Sequence, residues 1–83
     1  MTENKMQNWR AVGITKDNTQ HLLFVAPSYE LIKKQYETAF YEILTDDEQI
    51  AIKDIQLERW QGLADKGKWM KQGSLHLPEL IQK

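Results

Sequence analysis

Cysteine is absent from this chain. That excludes a disulfide framework, a thiolate zinc site and a cysteine nucleophile, and it is compatible with a reducing cytoplasm, the compartment expected here. No apolar run approaches the ~20 residues needed to span a bilayer. The opening stretch MTENKMQNW has no apolar segment of the kind a secretory signal carries, so no leader and no membrane partner are expected. Histidine occurs only at His21 and His76. No pair sits at the three-to-five spacing of a zinc site, and no metal or other cofactor is expected. Strong net charge is also missing. The formal value is −1, which gives the molecule little general attraction for nucleic acid.

What is present describes an ordinary globular chain. Eighty-three residues, 41% hydrophobic and 28% charged, make one small domain with a modest core. The charge is unevenly placed. Residues 1–27 sum to +1, residues 28–58 to −5, and residues 59–83 to +3. A positive C-terminal third behind an acidic middle can recruit an anionic partner locally.

The clearest periodicity lies in SYELIKKQYETAFYEIL, Ser28 to Leu44. Ile32, Tyr36, Ala39, Phe40 and Ile43 fall at i, i+4, i+7, i+8 and i+11, the stripe of a helix lying on a core. Tyr29 extends it one turn back. Lys33, Lys34, Glu37, Thr38 and Glu42 take the opposite side. Ser28 is the expected N-cap, and Pro27 discourages an earlier start. Tyr41 sits among polar neighbours, so its ring is expected at the helix edge with its hydroxyl in water.

Before the helix, residues 1–8 are polar and unpatterned, a loosely held arm. WRAVGIT (Trp9–Thr15) and HLLFVA (His21–Ala26), joined by KDNTQ, read as a β-hairpin. Strict alternation puts Val12, Ile14, Leu22 and Phe24 under the helix. His21, Leu23 and Val25 then take the other face, the last two exposed.

After the helix, Thr45 and Glu48 fit a capping box, yet the apolar residues from Ile50 to Leu63 scatter around a helical wheel. A strand over most of 50–61 fits better, with a phase change at Lys53-Asp54 that a bulge or a preceding helical turn would explain. QGLADKG (Gln61–Gly67) reads as a loop and GKWMKQGSLHL as a fourth strand. Gly73 marks a bend in it, Pro78 its stop, and ELIQK a short tail that can form one helical turn. The sum is an α+β domain of ββαββ order, a small antiparallel sheet with one amphipathic helix on one face.

Catalysis has little support. Each histidine falls in an expected strand, where hydrogen-bonded structural roles predominate. Asp46, Asp47 and Glu48 suit the start of a helix better than a calcium loop, which needs alternating oxygen donors and a turn glycine. Ser28 and Ser74 lack the surroundings of an activated nucleophile.

The informative stretch is RWQGLADKGKWMK, which gathers Arg59, Trp60, Lys66, Lys68, Trp69 and Lys71 against the single acid Asp65. Aromatic and basic residues together suit a protein interface. They also suit single-stranded nucleic acid, where rings stack on bases at about 1–3 kcal/mol each. The plain alternative is packing tryptophans and solubilising lysines. Parity places Trp60 on the polar face with Gln56 and Glu58. It places Trp69 inward with Leu75 and Leu77, unless Gly73 breaks the register. On that basis the two rings do not form one platform. The expected function is a small non-enzymatic cytoplasmic module that binds another protein, or a second copy of itself, through the helix-free face and the 59–71 stretch. Weak single-strand binding by the same stretch is the alternative.

Overall fold

A computed structural model describes residues 7–80 of the chain. Most of the expected N-terminal arm (residues 1–6) and the end of the tail (81–83) lie outside the described residues. The elements run β1 (Trp9–Thr15), β2 (Gln20–Ala26), α1 (Tyr29–Ile43), α2 (Asp46–Ala51), β3 (Ile52–Leu63) and β4 (Lys66–Leu75). The strands form one antiparallel sheet in the order β2-β1-β3-β4. The fold is the α+β arrangement expected, with one short helix added before β3.

α1 forms where the apolar spacing places it and packs on β1 and β2. Ser28 is extended (φ −145°, ψ 153°) and its hydroxyl accepts the Leu31 N–H at 3.3 Å, which satisfies one of the unpaired donors of the first turn. Ile32, Tyr36, Ala39 and Phe40 are buried. Ile43 is instead 54% exposed, and Leu44, the extended C-cap, takes the core position at 4%. Phe40, Leu23, Ile32 and Ile55 are the largest fully buried side chains, each worth about 1.5–3 kcal/mol of burial.

Both readings of the segment after α1 hold, in succession. Thr45 Oγ1 accepts the Glu48 N–H at 3.2 Å, and the Glu48 carboxylate accepts the Thr45 N–H at 2.8 Å. The box starts α2, which lasts six residues. Ile50 therefore belongs to a helix and is 56% exposed; the strand begins at Ile52. The Ala51 carbonyl accepts from Lys16 N at 3.0 Å and ties α2 to the β1–β2 turn. That turn is a three-residue loop closed by Thr15 and Thr19, with Asn18 left-handed at φ 70°, a standard hairpin geometry.

Three strands each carry one extra residue, and these decide the faces. Ala11 pairs Phe24 while Val12 pairs Leu22, so Leu23 is extra in β2. Ile14 pairs Asp54 while Thr15 pairs Ile52, so Lys53 is extra in β3, at the expected phase change. Leu57 pairs Gly73 while Glu58 pairs Lys71, so Gln72 is extra in β4, next to the expected Gly73 bend. One added residue moves every later side chain to the other face.

Strict alternation therefore misplaces the hairpin residues. Leu23 is buried in the core at 2% exposure, and Leu22 is 53% exposed. Ala11 belongs to the core under α1 together with Leu23, Ile55 and Leu57, and Phe24 packs against it as expected. Val12 and Ile14 are buried but lie outside that cluster, on the helix-free face with Arg10. Val25 is half-buried.

Beyond β4 the chain returns across α1. The Tyr36 hydroxyl donates to the His76 carbonyl at 2.7 Å, and the Tyr41 hydroxyl donates to the Glu79 carbonyl. Pro78 is buried. Tyr41 is thus a clamp on the tail, half-buried against Phe40, and not a ring with its hydroxyl in water. Glu79 and Leu80 adopt no helical turn. No helix among the described residues is long and apolar enough to cross a membrane.

Candidate functional site

β3 outruns the strand beside it. Its last register partner on β1 is Trp9, opposite Arg59, followed by one bond from Trp60 N to the Asn8 carbonyl at 2.8 Å. Among the described residues, β3 and β4 pair only with each other from Gln61 outward, as a two-stranded arm closed by Ala64 and Asp65. The expected loop over 61–67 is therefore mostly strand. Gly62 and Gly67 are register partners. A Cβ on Gly62 (φ 113°) would lie 2.5 Å from the Lys66 carbonyl oxygen, and one on Gly67 would lie 2.5 Å from that of Gln61. Read as loop markers, these glycines serve to let two chains approach closely.

Trp60 and Trp69 face each other across the arm. Their ring centroids are 5.5 Å apart with planes at 74°, the edge-to-face geometry that the aromatic quadrupole favours. The extra Gln72 separates Trp69 from the parity of Leu75, so Trp69 joins Trp60 on the helix-free face. This corrects the inward placement of Trp69 and the separation of the two rings. Both are half-buried. The Trp60 indole Nε1 donates to the Leu63 carbonyl at 2.9 Å, which points its ring toward the turn and over Gly67, where an added Cβ would meet it at 2.7 Å.

Arg10 completes the group from β1. Its guanidinium carbon lies 4.3 Å from the Trp69 ring centroid, and its Nε donates to the Glu58 carboxylate at 2.6 Å. Glu58 is only 7% exposed, so this is a partly desolvated pair in which the cation also rests on an aromatic face. Arg10 had no local signal in the sequence. Its partners are 48 and 59 residues away, and only the sheet register unites them.

The six candidate residues come together on one hairpin but divide between its faces. Trp60, Trp69 and Lys71 share the helix-free side with Arg10 and Glu58, while Arg59, Lys66 and Lys68 fall on the opposite side by register. Arg59 lies 5.2 Å from the Trp9 ring centroid. Trp9 in turn contacts Tyr29 at the start of α1, 5.8 Å between rings. Lys66, Lys68 and Lys71 are exposed.

A concavity of about 400 Å³ lies between the β1–β2 turn and α2 and is lined in part by His21, Glu48, Asp17 and Thr15. His21 Nδ1 is 3.8 Å from the Glu48 carboxylate, beyond hydrogen-bond reach. Glu48 is held below the usual carboxylate range first by the Thr45 backbone N–H, then by the Thr45 side chain and His21. Asp17 is lowered to about 2 by the Thr15 hydroxyl and then by Thr19. Both acids thus serve local turns. His76 lies outside the strand where it was expected, exposed in the tail, with its carbonyl accepting from Tyr36. Asp46, Asp47 and Glu48 form the first turn of α2. Among the described residues no group of three or more acidic or histidine side chains is arranged to hold a metal ion.

Comparison with known proteins places the chain in no group: no family model, no curated protein and no solved structure matches it.

Proposed function

We propose that the protein is a non-enzymatic, cytoplasmic protein-binding module that docks through the helix-free side of the β3–β4 arm. The observation that carries this reading is the Trp60–Trp69 pair with Arg10 laid on it, outside the core that α1 covers. Tryptophan and arginine are enriched among the residues that dominate interface energetics, the first as a large ring with only two side-chain torsions and the second as a planar, multidentate cation that stacks on aromatic faces. Here the rings are held in place before any partner arrives, by each other, by the Leu63 carbonyl and by Arg10. That lowers the ordering cost of association.

Single-strand nucleic-acid binding remains the second reading, and the division of charge weighs against it. The rings share their face with Arg10 and Lys71 but also with Glu58 and Asp54, while Arg59, Lys66 and Lys68 project from the other side. A stacking platform works best with cations flanking it along the phosphate path.

The test is site-specific photo-crosslinking in cells of the native host, with the reactive side chain placed at Lys71 or, as a control, at Thr38 on the exposed side of α1. A discrete protein adduct from position 71 that disappears with Trp60→Ala is expected. Equal labelling from both positions, or adducts that survive the substitution, overturns the reading. An oligonucleotide bound with a steep salt slope would favour the alternative, since phosphate contacts release counterions.

A further inference from the structure

We infer that the open edge of β4 takes up an extended acidic peptide as a fifth strand; this rests on the reading of the arm as a protein-binding surface and names the partner's chemistry. β4 is the last strand in the order β2-β1-β3-β4, so one row of its backbone donors and acceptors has no strand beside it among the described residues. From Lys66 to Lys71, ahead of the extra Gln72, the register is regular. Every residue of that run except Trp69 is exposed. Six residues give roughly 20 Å of continuous edge, enough for an added strand to form a main-chain ladder.

Charge selects the partner. Across β3, Lys66 faces Leu63, Lys68 faces Gln61 and Lys71 faces Glu58. Glu58 is already engaged by Arg10 at 2.6 Å. No ion pair among the described residues involves any of the three lysines, and the only acid besides Glu58 between Glu58 and Leu75 is Asp65 in the turn. A carboxylate beside these lysines can be supplied on the open side by an incoming strand. Register then writes its pattern. Residues beside Lys66 and Lys68 on one face, and beside Lys71 on the other, are acidic, with an apolar residue set against Trp69. Directly opposed unlike charges stabilise such pairs and like charges disfavour them.

The other edge differs. QHLLFVA in β2 carries no formal charge with His21 neutral, so it offers no electrostatic choice of partner. Edge lysines also protect a bare strand from pairing with copies of itself. Reversal of charge separates the two roles, because glutamates at the same positions would still guard the edge but would reject an acidic strand.

The experiment uses the full chain, isotope-labelled, titrated with a capped ten-residue peptide whose central six residues are Glu-Thr-Val-Glu-Thr-Glu, flanked by Thr, so that an antiparallel strand sets Glu beside Lys71, Lys68 and Lys66 and Val beside Trp69. The same peptide with Lys for Glu is the control. Amide shifts concentrated at residues 66–71 and slowed exchange of β4 amides are expected with the acidic peptide only. Lys66→Glu with Lys68→Glu should weaken that binding ~10-fold or more and admit the basic peptide. Absence of shifts at millimolar peptide, shifts centred on β2, or indifference to charge reversal overturns the inference. If strand pairing fails while crosslinking from position 71 still depends on Trp60, protein binding stands and only the partner's chemistry falls. If both fail, both readings fall.

Discussion

Trp69 contacts both Trp60 and Arg10, with one ring 5.5 Å away and a guanidinium 4.3 Å from its own centroid. This puts three large side chains from β1, β3 and β4 in one group that owes nothing to α1. Gly67 leaves the room in which the Trp60 indole lies. Gly67→Ala should displace that ring, abolishing the near-ultraviolet circular dichroism of the coupled indoles while the far-ultraviolet spectrum changes little. An unchanged near-ultraviolet signal would show that the pair does not depend on this close approach.

Leu22 and Leu23 are adjacent and opposite in fate, 53% and 2% exposed. Leu23→Ala is expected to cost about 2–5 kcal/mol, the range for a buried leucine. Leu22→Ala should stay within about 0.5 kcal/mol, as for most surface changes. Urea denaturation of the two variants checks the bulge directly, because an unbulged β2 would reverse their order.

Much of the fold was legible because α1 and α2 carry their own local signals. The spacing from Ile32 to Phe40 and the Thr45–Glu48 box need no long-range information. Face assignments in the sheet were less legible. Parity is a reliable guide only while a strand gains no residue, and Leu23, Lys53 and Gln72 are each an addition. The one at Lys53 was visible as a break in apolar alternation. The one at Gln72 was hinted at by Gly73, and it decides whether Trp69 points inward or joins Trp60. The candidate residues fall on one hairpin, divided between its faces, but Arg10 was invisible, since its contacts depend on register between distant strands.

The Tyr36 hydroxyl is the donor that holds the tail at the His76 carbonyl. Burial, then the Glu37 carboxylate, push its phenol above the ordinary value, so it remains a donor through neutral pH. Tyr36→Phe should lower stability by about 1 kcal/mol, the net worth of one hydrogen bond. Faster amide exchange should be confined to residues 75–80. Uniform acceleration across the sheet would contradict a local clamp.

Acid stability offers a separate check on the β1–β2 turn. Asp17 is lowered from 3.8 to about 2 by bonds from Thr15 and Thr19. Its contribution is therefore fully present above about pH 4 and is lost as the pH falls through about 2, where the folded-state carboxylate takes up its proton. Asp17→Asn should remove part of the drop in melting temperature over that interval and leave the slope above pH 5 unchanged. Identical acid profiles for the two proteins would exclude the Thr15–Asp17–Thr19 bonds as a source of stability.

The most direct test of the account is equilibrium unfolding of the Trp60→Ala, Trp69→Ala double variant in urea. If the rings form a contact surface, the loss should be under about 2 kcal/mol, the scale of an aromatic pair at a partly exposed site, with the denaturant slope unchanged. A loss as large as the 3–5 kcal/mol of a core aromatic such as Phe40→Ala, or a changed slope, would make the pair part of the protein's interior and contradict its assignment as a docking face.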